Sequence, residues 1–105
     1  MIIRDSRGDA IGALSVPTPL STSVAVMEAL ACRRAVLFAK EIGLGQVIFE
    51  GDSAVVIQAV IQGNSASAEY GNIIDDIRIL VVDFDFIHFN HVKRNCNVVA
   101  DALTK

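Results

Sequence analysis

The chain has 105 residues, 52% of them apolar and 20% charged, with a net charge of −3. That length suits one domain, and the apolar content excludes a disordered tail. Twelve acids against nine bases exclude the overall charge signature of a general DNA binder. No apolar run reaches the ~18 residues of a membrane helix, and MIIRDSRGD has no apolar signal core. Cys32 and Cys96 form neither a disulfide framework nor a zinc pattern. The chain therefore reads as an intracellular protein with reduced thiols, of the nucleus or cytoplasm, with no membrane partner.

Ile2 to Arg4 reads as a strand and Ala10 to Val16 as the strand that returns beside it. The cluster Asp5-Ser6-Arg7-Gly8-Asp9 between them is a turn in which Gly8 can take positive φ. Arg7-Gly8-Asp9 also spells a cell-adhesion tripeptide, but the hairpin turn is the stronger reading. Pro17-Thr18-Pro19 marks a connection. Ser21, Thr22 and Ser23 offer N-caps for a long helix to about Ile42, and Gly43 and Gly45 end it. Gln46 to Glu50 is a short buried strand, and Gly51-Asp52-Ser53 a tight turn into a helix over Ala54 to Gln62. After a polar loop, Glu69 to about Val82 is a third helix, with Ile73, Ile77 and Leu80 at helical spacing. Asp85 to His91 is a strand with Phe86, His88 and Asn90 on one face and Ile87, Phe89 and His91 on the other. Lys93 to Cys96 is a loop, and Asn97 caps a last helix over Val98 to Lys105. This order predicts a single α/β domain over 1–105, one mixed sheet with helices on both faces, in which QVIFE belongs to a parallel crossover unit.

VAVMEALAC, residues 24–32, holds one charge, Glu28. With Glu28 set at zero and about 100° per residue, Arg33, Arg34, Lys40 and Glu41 fall roughly 120° to 240° away. Glu28's own stripe is Ala31, Cys32, Ala35 and Ala39, small residues suited to a helix lying close on a sheet. Glu28 thus points toward the body of the protein or a cleft at its edge, where a carboxylate must be paired, protonated or metal-bound. Its plainer role is at the helix start, favouring the dipole. Asp52 follows a buried strand, where ligands of open α/β sheets gather; its plainer role is an N-cap. Asp101 lies in NVVADALTK, where an exposed helix position suffices. Clustered carboxylates without a histidine or cysteine set favour hard cations, Mg²⁺ or Mn²⁺.

Three segments, IIRDSRGDAIGA, MEALACRRAVLFAKEIGLGQVIFEGDSAVVIQAV and FNHVKRNCNVVADALTK, together resemble the ribonuclease H superfamily. In particular they resemble the plant reverse-transcriptase-like ribonuclease H domains related to retroelement polyproteins. The resemblance implies a ribonuclease H-like fold and metal-dependent endonucleolytic hydrolysis of the RNA strand of RNA–DNA hybrids, at a site of acidic residues holding two divalent ions. Glu28, Asp52 and Asp101 would be the catalytic and metal-ligating residues. Ser53, Lys93, Arg94 and Asn97 would touch nucleic acid, although Ser53 and Asn97 are also natural helix starts. His91 and His88 are weaker candidates, since the histidine that some members carry before the last helix has no counterpart in Lys93 to Asn97.

The family's first strand, which bears its first catalytic aspartate in a motif such as VDGS, has no counterpart here. Met1 falls inside what resembles the second strand, and Asp5 and Asp9 lie in the hairpin turn. That strand is central in the family sheet, so its loss would expose backbone groups on both neighbours. The alternatives are a fragment of a longer chain, a sheet that closes differently, or a strand donated by another chain, as in a homo-oligomer. The rival to a nuclease is a catalytically silent remnant that binds nucleic acid or a protein. A nucleotide-binding domain fits less well, because GDS lacks a glycine-rich phosphate loop.

Overall fold

The computed structural model describes residues 1–13, 23–63 and 69–92. In chain order the elements are β1 (Ile2–Asp5), β2 (Ala10–Ala13), α1 (Val24–Glu41), β3 (Gln46–Gly51), α2 (Ala54–Gln62), α3 (Gly71–Leu80), a 3₁₀ turn (Val81–Asp83) and β4 (Phe86–His91). The loop at 64–67 and the helix over 98–105 expected from the sequence lie outside the described residues.

Local chemistry explains most of the boundaries. Asp5 accepts hydrogen bonds at Oδ1 from the backbone N–H groups of Arg7 and Asp9, both 2.9 Å, which closes the hairpin turn. Gly8 has φ +90° there, a conformation that costs a residue with a Cβ. Of the three offered caps, Ser23 starts α1, its Oγ accepting from Val26 N–H at 3.2 Å. Gly43, at φ +79°, follows the helix end. The third helix is shorter than expected. It begins at Gly71 and its last turn tightens into the 3₁₀ segment Val81–Asp83.

The sheet has the order β2-β1-β3-β4. β1 pairs antiparallel with both neighbours, and β3 pairs parallel with β4 through the α2–α3 crossover. A register shift between Ile3 and Arg4 marks an irregularity in the β1–β2 ladder. Among the described strands β1 lies directly beside β3. Ile2 lies opposite Glu50 and Ile3 opposite Phe49, so the facing backbone groups of the two strands are paired.

Ile3, Val47, Phe49 and Phe89 alternate along three strands and join the inward sides of α1, α2 and α3 in one core. Ala29, Cys32, Ala35 and Ala39 are all fully buried, so α1 meets the sheet through small residues and sits close to it. Among the described residues Phe49 is the largest wholly buried side chain. It stacks on Phe89 at 5.2 Å between centroids and meets Phe84 edge-on at 6.4 Å. On the other sheet face Arg4, Ile48, Glu50, His88 and Asn90 are half-buried or exposed. The three described helices thus share one face of the sheet.

Replacing Phe49 with Ala removes the centre of this aromatic cluster and leaves a cavity against β4. A loss of about 3–5 kcal/mol is expected, read as a fall in the urea midpoint at constant m-value.

Candidate active site

Asp52 occupies the turn that leaves β3. Its half-buried position does not come from capping α2. Ser53 is the cap, its Oγ accepting from Val56 N–H at 3.4 Å. The plainer role considered for Asp52 therefore belongs to its neighbour, and the Ser53 hydroxyl keeps its proton to donate elsewhere.

Glu28 is the fifth residue of α1, beyond the first turn, where acids are absent. It is half-buried, while the other charges of the helix lie on the far side and pair outward. Arg33 reaches Asp76 at 3.3 Å, Arg34 reaches Glu41 at 3.4 Å and Lys40 reaches Asp83 at 2.9 Å. Glu28 stands one turn before the buried Cys32. Burial pushes the Cys32 thiol up to about 12, the N-terminal ammonium partly offsets this, and the Glu28 carboxylate adds to it. α1 also packs against β1.

Three contacts lie beside Asp52. A Cβ on Gly51 would lie 3.1 Å from Met1 Cε, so the start of β1 closes directly onto the end of β3. Gly51 is opposite His91 in the β3–β4 ladder. Val92 N–H donates to Gly51 O at 2.8 Å. Asp52, the start of β1 and the end of β4 thus lie at one end of the sheet, and β4 ends there at His91. His91 ends its strand at this place, on the helix-bearing side. His88 belongs to the opposite sheet face. Lys93, Arg94, Asn97 and Asp101 lie outside the described residues. Among the described residues no group of three acid, histidine or cysteine side chains is placed to hold a metal ion.

One polar pair at this end has no counterpart in the sequence reading. Arg4 Nε donates to Glu50 Oε1 at 2.8 Å across the β1–β3 ladder. Only the register decided by the fold brings these residues, 46 apart in sequence, together. No motif signals it.

The family model for reverse transcriptase-like proteins matches residues 1–105, the whole chain. The chain belongs to the reverse transcriptase-like family. Its fold agrees with that assignment. The ribonuclease H1 of the halophilic archaeon Halobacterium salinarum NRC-1 superposes with a TM-score of 0.76 at 21% identity, over 97% of this chain and 77% of that one. No curated protein matches the sequence significantly. The chain thus has a ribonuclease H-like fold, with the mixed sheet expected of one. No described helix is long and apolar enough to cross a membrane.

In this ribonuclease H-like fold, Glu28 and Asp52 offer oxygen donors of the kind that Mg²⁺ and Mn²⁺ prefer. Magnesium sites commonly use one or two carboxylates and complete their shell with water and substrate phosphate.

Ser53→Ala is expected to lower stability by about 1 kcal/mol, and Asp52→Asn by less because the cap survives; urea unfolding of the two variants reads the difference. The Cys32 thiol is neutral in the folded state well past its ordinary value of 9.0, up to about 12. Its raised value contributes stability that is fully present below the ordinary thiol value and is lost as pH rises through the folded one. The stability of the native chain is therefore expected to fall more between pH 9 and pH 12 than that of Cys32→Ala, as measured by unfolding at stepped pH.

Proposed function

We propose that this domain hydrolyses the RNA strand of RNA–DNA hybrids, with Glu28, Asp52 and Asp101 as ligands of Mg²⁺ or Mn²⁺ and with Ser53, Lys93, Arg94 and Asn97 against the nucleic acid. The observation that supports the reading is that Glu28, on the second turn of α1, and Asp52, in the turn that leaves β3, are both carboxylates held half-buried. Burial of a carboxylate is costly unless a cation or hydrogen bonds offset it. The ribonuclease H-like fold and the family membership support the same chemistry by analogy.

In the reaction, water oxygen bonds to a backbone phosphorus, a phosphorus–oxygen bond to the sugar breaks, and the sugar oxygen takes a proton. The bound cations supply charge stabilisation at the phosphate and a more acidic water. Glu28 and Asp52 hold negative charge on rigid elements, one on a helix pressed to the sheet and one at the end of a central strand. Asp101 lies in the segment that follows β4, whose end is beside Asp52. Ser53 directs a hydroxyl from the turn next to Asp52. Lys93 and Arg94 immediately follow the same strand end and bring positive charge for backbone phosphate.

A second reading has its own support. β1 places the apolar Met1, not an acid, against Gly51, and among the described residues no group of three metal-holding side chains forms. A domain with that site would bind nucleic acid or a protein without cleaving.

Incubation of a labelled RNA–DNA hybrid with the full chain and Mg²⁺ or Mn²⁺, beside Asp52→Asn, separates the two. Metal-dependent cleavage that falls at least about a hundredfold in the variant is the expected result, a loss of roughly 2.7 kcal/mol in transition-state stabilisation. Absence of cleavage by a folded chain that still binds the hybrid would leave the binding reading in its place.

A further inference from the structure

The outer side of the helical layer, turned away from Glu28, carries a groove between α1 and α3. Two ion pairs bridge it, Arg33–Asp76 at 3.3 Å and Lys40–Asp83 at 2.9 Å. Both partners advance by seven residues from one bridge to the next, two turns of helix. α1 therefore runs parallel to α3 and in step with it. Between the bridges Leu37, Ile79 and Leu80 line a cavity of about 280 Å³. A second cavity of about 140 Å³ continues past Arg33 over Leu30 and Leu37. Ile79 is 70% exposed although it belongs to the apolar lining.

Charge is sorted across this groove. The α1 rim carries Arg33, Arg34 and Lys40, and the opposite rim carries Asp76 of α3 and Asp83 of the 3₁₀ turn that continues it. Glu41 on the first rim is engaged by Arg34. Arg78 turns away from the second rim to donate to Val60 O at 2.6 Å, at the end of α2.

We propose that this groove is the interface of a homodimer whose twofold axis runs along the groove. The charge pattern selects both the occupant and the axis. A basic rim beside an acidic rim is self-complementary when a second copy is rotated about an axis parallel to both. Each basic rim then faces the partner's acidic rim, and α1 of each copy lies over α3 of the other. Rotation about an axis across the groove would set like rims together. The exposed ion pairs contribute little to the isolated chain and rearrange at small cost. The apolar floor, with Ile79 at its most exposed point, supplies the desolvated centre. The contact leaves the sheet, Glu28 and Asp52 open, so it is independent of the cleavage reading and does not require strand donation.

Sedimentation velocity across a concentration series tests the proposal, with circular dichroism confirming that each variant is folded. The wild-type chain is expected to dimerise, and Ile79→Asp to weaken association by at least about tenfold, 1.4 kcal/mol. The variants R33E/K40E and D76K/D83K give each copy two rims of one sign. Each should be monomeric alone, and an equimolar mixture should form the heterodimer. A wild-type chain that stays monomeric up to roughly 100 μM, weaker than a standard interface would give, overturns the proposal. So does a dimer that survives Ile79→Asp, which would place the contact elsewhere, such as a sheet edge, and so does a mixture that fails to associate.

Discussion

The antiparallel ladder between β1 and β3 is the constraint on which the rest of this domain depends. It makes β1 an interior strand, paired on both sides, and sets Ile3 against Phe49 under the helices. Without that ladder the hairpin would have no partner strand, and a lone two-stranded unit is marginal in water. The same register brings the start of β1 to the end of β3, beside Asp52. The pairing of β1 with β3 and the composition of the candidate site are therefore one structural fact. The strand that pairs with β3 also decides what stands next to its carboxylate, and here that is Met1.

α1 serves two surfaces with different chemistry. Its inner stripe of Ala29, Cys32, Ala35 and Ala39 lets the backbone approach the sheet, which holds Glu28 half-buried rather than in open water. Its outer side sorts bases toward the acids of α3. Both follow from a helix that has one small-residue face and one charged face. The raised thiol of Cys32 is a consequence of the first arrangement, since a neutral sulfhydryl loses less by burial than a thiolate beside a carboxylate. The cross-helix ion pairs are a consequence of the second. They follow the parallel register of α1 and α3, which apolar packing in the core sets.

Much of this was legible from residue order. The turn at Asp5 to Asp9, the long helix, the buried strand QVIFE, the GDS turn and the two faces of the last described strand all follow from periodicity and turn chemistry, which act over a few residues. The inward direction of Glu28 was legible for the same reason, because helical geometry alone puts it opposite the other charges. The role of Asp52 was ambiguous, since Asp and Ser both cap helices well and stand side by side. Only the hydrogen bond from Val56 N–H to Ser53 assigns the cap. The third helix is shorter than its periodicity predicts, because Glu69 and Tyr70 at its start, and Val81 and Val82 at its end, do not break the helical pattern.

Sequence by itself determined the family, the fold class and two of the carboxylates worth watching, since these rest on local pattern and segment order. Tertiary structure alone decided that β1 lies beside β3, because strand pairing is a competition among distant segments for the same backbone hydrogen bonds. It decided as well that Arg4 meets Glu50, that Met1 lies against Gly51, and that the bases of α1 face the acids of α3. Each of these is a contact between residues more than forty apart in sequence, or the result of one strand taking a place beside another. No local propensity encodes such a choice. It is settled by which arrangement buries the apolar faces and satisfies the backbone together.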